Sequence, residues 1–228
     1  KKLANLANSG NHIVPEMYPL HNVKRGLRDI DGNGVVAGLT EISYIKAKDK
    51  DSGGNAVPCK GELYYRGINI KDIVKGFVGE DRFGFEETMF LLLFSKLPDE
   101  KELLEFREQL SVYRSLPPSF VRDMILKAPG KDMMNILSRC VLALYTYDEN
   151  PDDISVDNVV RQCLQLISEL PLIAVYAYHS FQHYHNNNSL FIHYPKKELT
   201  IAENILYMLR EDGQFTPLEA KLLDLALV

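Results

Sequence analysis

Apolar residues recur every three or four positions over most of the chain after residue 85, which is the spacing of one face of an α-helix. The pattern is clearest just after Asp132, which stands in the position of a helix N-cap. The apolar positions there are Met133, Ile136, Leu137, Cys140, Val141 and Leu144. Helices are also predicted over residues 85–94 and after the capping residues Asp99, Ser155, Thr200 and Thr216.

The first part of the chain follows a different pattern. Residues 1–33 are polar, interrupted by prolines and glycines, and show no sustained period, which predicts an extended arm. Residues 35–46 and 62–70 are richer in Val, Ile, Tyr and Thr, and they flank the turn-forming run at 49–55. We therefore predict a small β-hairpin with a long loop.

Roughly six helical runs with short connections indicate an all-α, multi-helical architecture with the small N-terminal β-hairpin in front of it. The helical part shows no self-similar repeat and no Gly/Ser linker, so a repeat array and a further internal boundary are disfavoured. The predicted organisation is an extended arm over residues 1–34 and one helical domain over residues 35–228.

The last predicted helix has a strong start and no visible end. Thr216 is the N-cap, Pro217 occupies the first helical position, and Glu219 completes a capping box. Its apolar stripe consists of Leu218, Leu222, Leu225 and Ala226. Because no Gly, Asn or basic residue ends the helix, we expect further apolar structure beyond Val228.

Composition narrows the classes of partner. With 31 acidic and 26 basic residues the formal net charge is -5, which argues against nucleic acid as a partner. Cys59, Cys140 and Cys163 are odd in number and form no C-x-x-C pair, which fits a reducing, cytoplasmic location. The apolar runs at 89–94 and 170–178 are too short to cross a bilayer, so no membrane association is predicted.

Four histidines lie close together in sequence. His179 and His183 are four residues apart on a predicted helix, with His185 and His193 nearby, a spacing that could hold a metal. The residues between the first two lack the glutamate of a zinc protease helix, and histidines near a helix C-terminus are favoured by its dipole. No metal site is predicted.

Other candidate groups also have structural interpretations. The adjacent carboxylates Glu86 and Glu87 could do acid–base work, but at the start of a helix they complement its positive end. Cys140 and Cys163 lie on apolar helix faces without a histidine at helical spacing. The residues themselves therefore assign no catalytic group.

One basic cluster lies among glycines in the arm, at Lys24, Arg25 and Arg28. Guanidinium groups on such a segment can reach a phosphate or carboxylate that a packed helix could not approach. They could equally be solvated charges.

Several segments, in order, resemble the citrate synthase family. Residues 62–70, ELYYRGINI, are similar to the family's strand-to-helix signature L-x-Y-R-G-x-x-I, and residues 166–171, LISELP, to L-I-A-K-L-P. Further matches lie at 85–98, 105–107, 134–137, 200–209 and 223–228. The resemblance covers residues 24–228 and implies the N-terminal part of the family's large helical domain.

The family condenses acetyl-CoA with oxaloacetate to give citrate and CoA, with acetyl-CoA as a substrate and no separate cofactor. In the family an aspartate removes a methyl proton, one histidine stabilises the enol, and another polarises the ketone. These residues follow the positions that match Leu227 and Val228. The resemblance therefore implies that this chain contains no catalytic residue and is inactive by itself.

The resemblance carries one binding role onto this sequence. Arg25 aligns with an arginine that reaches a CoA phosphate in some family members, so it is the substrate-binding candidate. The family's second phosphate arginine corresponds to the region of Asp152, an acid, and its H-P-M helix start is altered at residues 131–134. Arg66 and Gly67 match a strong motif, but a structural arginine and a turn glycine explain them equally well.

The resemblance also implies a homodimer, because family subunits pair through helices that match residues 133–147 and 156–178. Three alternatives remain open. The parent protein could be a methylcitrate synthase that takes propionyl-CoA, or the citrate synthase-like part of a larger lyase. The chain could also be a non-catalytic helical dimerisation or interaction module.

Overall fold

The computed structural model describes Asn5, residues 13–24 and 26–29, Gly32 and residues 34–228. It separates into two units, Lys1–Glu41 and Ile42–Val228. Within the described part of the first unit, Met17–Leu20 forms one helical turn, α1.

The second unit begins with a three-stranded antiparallel sheet in the order β1-β2-β3. Strand β1, Ser43–Lys50, pairs with β2, Ala56–Tyr65, and β2 pairs with the short β3, Ile68–Asn69. The predicted hairpin is confirmed, but its predicted bounds are wrong. Residues 35–40 are not a strand, and both long strands extend inward to a five-residue connection.

The short connection explains this error. The Asp51 carboxylate accepts hydrogen bonds from the backbone N–H groups of Gly53 and Asn55, each at 2.8 Å. Gly54 adopts a φ of 81°, which favours glycine. The polar residues before the turn can therefore continue β1, whose side chains are exposed except at Lys46.

The remainder of the second unit is mainly helical, so the prediction of an all-α fold with a small hairpin is confirmed. The helices are α2 (Ile70–Gly79), α3 (Phe85–Phe94), α4 (Glu100–Val112), α5 (Met133–Leu144), α6 (Val156–Asn186), α7 (Ile201–Leu209) and α8 (Pro217–Leu227). A π-helical segment, Val121–Leu126, precedes α5, and a 3-10 turn, Tyr145–Tyr147, follows it.

The helix starts agree with the predicted caps. Asp99, Thr200 and Thr216 each form a complete capping box with the glutamate three residues later. Asp132 and Ser155 each accept a hydrogen bond from the backbone N–H three residues on. These local signals were readable because each involves residues only three positions apart.

Helix α6 is the centre of the second unit and contacts α4, α5, α7 and the π-helical segment. The largest buried cluster, called here the apolar core, forms around it. Its members are Phe120, Ile125, Ile136, Cys140, Leu144, Leu172, Ile173, Val175, Tyr176, Ala177 and Met208. Smaller clusters lie between α3 and α4, around Phe90 and Phe106, and between α2 and α3, around Phe77.

The apolar run at 170–178 lies within the longer helix α6, which continues through Pro171 to a length of 31 residues. By the test of length and composition alone, α6 could cross a membrane. A core helix passes the same test, and the buried residues Ile173 and Ala177 of α6 pack in the apolar core.

Candidate functional site

The basic cluster of the arm is only partly described. Arg25, the predicted substrate-binding residue, lies outside the described residues, so its role stays a prediction. Lys24 is exposed and donates to the Asn22 side chain at 3.2 Å. Arg28 donates to the Gly32 carbonyl at 2.7 Å.

Arg66 and Gly67 form the turn between β2 and β3, with φ angles of 47° and 81°. The Arg66 side chain is half-buried, and its Nε and Nη2 atoms donate to the carbonyl oxygen of Leu92 at 3.1 and 2.8 Å. Leu92 lies in the last turn of α3, where backbone carbonyls have no partner within the helix. The arginine therefore joins the sheet to the end of α3, in line with a structural role.

The histidines near the end of α6 contact backbone carbonyl groups. His179 is buried, and its Nε2 lies 2.9 Å from the carbonyl oxygen of Met208. The Nε2 atom of His193 lies equally close to the carbonyl oxygen of Glu211. A carbonyl only accepts, so each of these nitrogens donates a proton and is not free to bind a metal. Burial lowers the pKa of His179. Among the residues that the structure describes, no group of three or more His, Cys, Asp or Glu side chains could hold a metal ion.

A cluster of polar side chains, called here the polar junction, lies where α3, α4, α7 and α8 meet. Its members are Glu86, Arg107, Arg114, Asn204 and Asp224. All except Arg107 are less than a tenth exposed. Buried polar groups are costly unless they are paired, so their partners show what each one positions.

Asp224 joins α8 to the start of α3. Its Oδ2 accepts from the backbone N–H of Gly84 at 2.6 Å, and its Oδ1 accepts from the N–H of Phe85 at 3.2 Å. These donors belong to the first turn of α3, which lacks intrahelical partners and carries the positive end of the helix dipole. Burial nevertheless raises the pKa of the Asp224 carboxyl.

Glu86 connects two other helices. Both Glu86 and Glu87 lie in the first turn of α3, as predicted. The Glu86 Oε1 atom, however, accepts from the backbone N–H of Ile201, the first residue of α7, at 2.8 Å. Its Oε2 lies 3.2 Å from Nη2 of Arg107 on α4. Glu87 forms an ion pair with Arg82. The paired carboxylates thus have structural partners.

Arg114 and Asn204 hold the segment that leads into α7. Arg114 Nη1 donates to the carbonyl oxygens of Lys196 and Leu199, at 3.1 and 2.6 Å. The Asn204 side chain accepts from the Lys196 N–H at 2.8 Å and donates to the Lys196 carbonyl at 3.0 Å. Burial lowers the pKa of Arg114. A cavity of about 300 Å³ opens beside Arg107 and Arg114.

Helix α8 buries the face opposite its apolar stripe. Leu218 and Leu222 of the predicted apolar stripe are exposed, whereas Ala220 and Asp224 are buried. At the end of the helix, the Tyr65 hydroxyl donates to the Val228 carbonyl at 3.4 Å. The polar junction and this contact together fix the position of α8 on the helical body.

The polar junction was not predicted from the sequence. Asp224 and Gly84 are 140 residues apart, and Glu86 and Ile201 are 115 apart. Periodicity and capping rules concern neighbours within one or two turns, so they do not detect such pairs. The one available signal was an acidic residue within an otherwise apolar run at the end of α8.

A family model and individual known proteins that are similar to this chain all belong to the citrate synthases and their relatives. The family model described as citrate synthase, C-terminal domain, matches residues 29–228. Citrate synthase of Synechocystis sp. is 28% identical over 198 residues, which cover 85% of this chain and 43% of that protein. The 2-methylcitrate synthase 1 of Corynebacterium glutamicum is 28% identical over 152 residues, covering 66% of this chain and 34% of that protein.

Solved structures share the fold. Citrate synthase from Pyrobaculum aerophilum matches with a TM-score of 0.66 at 24% identity, over 88% of this chain and 45% of that one. The enzyme from Thermoplasma acidophilum, solved as a ternary complex with carboxymethyl coenzyme A and oxaloacetate, matches with a TM-score of 0.60 at 20% identity, over 81% and 41%. The chain spans less than half the length of each of these proteins. With the match over residues 29–228, the chain belongs to the citrate synthase family.

Proposed function

We propose that this chain is part of an acyltransferase that condenses acetyl-CoA with oxaloacetate to give citrate and CoA, without a separate cofactor. The observation that carries the proposal is the family match over residues 29–228. The ternary complex of the Thermoplasma acidophilum relative supports the two substrates. Arg25 is the proposed contact to a CoA phosphate, from the resemblance alone.

In this proposal the chain supplies scaffold, and other parts of the enzyme supply the reacting groups. Removing a proton from a methyl group as weakly acidic as that of acetyl-CoA requires preorganised donors and exclusion of water. The resemblance puts the aspartate and histidines that do this after the positions matching Leu227 and Val228. The contacts of Asp224 and Tyr65 orient α8, which leads toward those positions. The 228-residue chain alone is therefore expected to be inactive.

The test is an assay of CoA thiol release from acetyl-CoA and oxaloacetate. We expect no release above the blank from the 228-residue chain, with the Synechocystis sp. enzyme as the positive control. Turnover by the chain alone would overturn the expected inactivity.

Reading the gene beyond codon 228 tests the parent activity. A histidine motif within the next few codons supports it, whereas an immediate stop codon favours a non-catalytic helical module. A longer reading frame, in which this segment is the citrate synthase-like part of a larger protein, would indicate a larger lyase.

A methylcitrate synthase is the second candidate, and the Corynebacterium glutamicum relative favours it. The two reactions differ by one methylene of the acyl group, which a pocket discriminates by about 1–3 kcal/mol. The measurement is the ratio of kcat/KM for propionyl-CoA and acetyl-CoA in the longer protein. A ratio above one would replace citrate with methylcitrate as the product.

We also propose that two copies pair through α5 and α6. Helix α5 exposes apolar side chains along one face, with Met134 at 70%, Leu142 at 76% and Tyr145, just after the helix, at 53%. Val156 at the start of α6 is 78% exposed. Apolar surface of this kind is typical of an interaction face, and a two-fold pair would bury the same patch on both copies.

Sedimentation equilibrium tests this pairing. The substitution Leu142→Asp is expected to shift the chain toward monomer, because it places a charge in the proposed interface. Leu104→Asp is the matched control, since Leu104 on α4 is also an exposed leucine, at 59%. Equal mass distributions for the two variants would contradict pairing through α5.

A cytoplasmic location is proposed on the basis of the cysteines. Cys59, Cys140 and Cys163 are all free thiols, as expected of a protein kept in a reducing compartment. Cell fractionation followed by detection of the chain is the direct measurement.

A further inference from the structure

A row of polar side chains runs along α6 with one member per turn. We call it the polar row, and it consists of Asn158, Arg161, Gln165 and Glu169. Arg161 Nε donates to Asn158 Oδ1 at 2.9 Å, and Arg161 Nη1 donates to Gln165 Oε1 at 3.2 Å. Gln165 Nε2 then donates to Glu169 Oε1 at 3.1 Å. The spacing of three or four residues puts all four on one helix face.

Toward the outer end of the polar row, Arg161 forms an ion pair with Asp148. Arg161 Nη2 donates to both carboxylate oxygens of Asp148, at 2.7 and 2.8 Å, and Gln162 donates to Asp148 at 3.0 Å. These bonds hold the pKa of the Asp148 carboxyl well below its usual range, at about 2. Arg161 therefore has its charge compensated by Asp148 and not by Glu169.

The inner end is a buried acid with one hydrogen bond. Glu169 is 3% exposed, and its Oε2 has no hydrogen-bond partner among the described residues. Because Gln165 turns its oxygen toward Arg161, it presents its amide N–H to Glu169 and acts only as a donor there. An ionised carboxylate at this position lacks a compensating cation, which is costly in a buried environment.

The helices packed against α6 do not supply that cation. Apart from solvent-facing charges on α4, their titratable groups are Arg107, Arg122, Asp123, Arg139, Cys140, Glu203 and Tyr207. The buried Arg114, just after α4, donates to the carbonyls of Lys196 and Leu199. Arg139 donates to the carbonyls of Met124 and Ala128, Arg107 pairs with Glu86, and Arg122 pairs with Asp123. Burial raises the pKa of Glu169 to about 7, and the Gln165 hydrogen bond opposes the rise.

We propose that Glu169, at the buried end of the polar row, is a proton-dependent switch that sets how strongly α6 is held in the apolar core. The proposal is independent of the catalytic activity of the parent protein. The folded-state pKa of about 7 lies above the usual 4.5, so the unfolded chain loses this proton first as pH rises. The contribution of Glu169 to the stability is therefore lost between about pH 4.5 and pH 7 and stays constant above that range.

Urea unfolding from pH 4.5 to 8.5, with Glu169→Gln beside the wild type, tests the switch. The variant keeps the shape of the side chain and removes its charge. We expect its urea midpoint to rise relative to the wild type as pH increases to about 7, and the difference to stay constant above that pH. Glu105→Gln on the exposed side of α4 is the matched control and should follow the wild type throughout. A difference between Glu169→Gln and wild type that does not change with pH would overturn the proposal.

Two further measurements keep the proposal testable if Glu169→Gln fails to fold. Gln165→Leu removes the hydrogen bond that favours the ionised form, so stability should continue to fall to a higher pH than in the wild type. The carboxyl of Glu169 can also be followed directly in the wild type by NMR of ¹³C-labelled glutamate. A titration midpoint near the ordinary 4.5 would overturn the switch, whereas a midpoint near 7 would support it.

Discussion

The apolar core around α6 and the polar junction between α3, α4, α7 and α8 are both buried, but they are built in different ways. The apolar core consists of aliphatic and aromatic side chains on helix faces, among them Ile136 of α5 and Ile173 of α6. The polar junction consists of charged and amide side chains that reach the backbone at helix ends, such as Asp224 at the start of α3.

The difference lies in what each region determines. Burial of apolar area is non-directional and supplies most of the free energy of folding. Hydrogen bonds from a buried side chain to the backbone are directional, and their net contribution is smaller. We infer that the apolar core supplies most of the stability, whereas the polar junction sets where α3 and α7 begin and how α8 is oriented. Three substitutions test this division.

Phe120→Ala is expected to have the largest effect. Phe120 is fully buried in the apolar core and packs edge-on against Tyr147 at a centroid distance of 5.7 Å. Truncation removes apolar contact and leaves a cavity, which costs about 3–5 kcal/mol for a buried phenylalanine. Urea unfolding measures the loss. Leu104→Ala, at an exposed position, should remain within about 0.5 kcal/mol of the wild type.

A small effect of Phe120→Ala would mean that the apolar core can close around the missing ring. In that case the free energy of unfolding would depend more on the polar junction than we infer. A lower slope of free energy against urea would instead indicate that the variant has lost two-state unfolding.

The two regions also differ in how far the sequence predicts them. The spacing of Ile136, Cys140 and Leu144 predicted a buried helix face, and all three are buried. Such predictions succeed because the periodicity of a helix relates residues that are close in sequence. The capping residues Asp99, Thr200 and other N-caps were found for the same reason.

Periodicity does not predict features that distant parts of the chain decide. It identified the stripe containing Leu218 and Leu222 but not the buried face of α8, because the contact of Asp224 with α3 turns the opposite face inward. The bounds of the hairpin were missed for a different, local reason, because the hydrogen bonds that the Asp51 carboxylate accepts from the turn set the strand ends more strongly than hydrophobicity does. Side-chain contacts to the backbone of another element cannot be read from periodicity.

Asp224→Ala is expected to have an intermediate and local effect. It leaves the buried N–H groups of Gly84 and Phe85 without their acceptor, which costs about 1–3 kcal/mol. Hydrogen exchange should lose protection first in α8 and the start of α3, while α5 and α6 keep theirs. Asp224→Asn retains one acceptor oxygen and should fall between Ala and the wild type. Equal loss of protection in α6 would show that the two regions unfold as one unit.

Of the three substitutions, Thr216→Ala is expected to have the smallest effect, because it removes one half of a reciprocal cap. The Thr216 hydroxyl contacts the Glu219 N–H at 3.3 Å, and the Glu219 carboxylate accepts from the Thr216 N–H at 2.7 Å. The second bond survives the substitution, and Arg210 still pairs with Glu219. A loss of about 1 kcal/mol is therefore expected in urea unfolding.

Thr200→Ala is the informative comparison, since at the start of α7 the Glu86 carboxylate also accepts a hydrogen bond from the Ile201 N–H. If the polar junction fixes helix starts as inferred, Thr200→Ala should cost less than Thr216→Ala. The reverse order would show that local capping sets the start of α7 more strongly than its contact with α3.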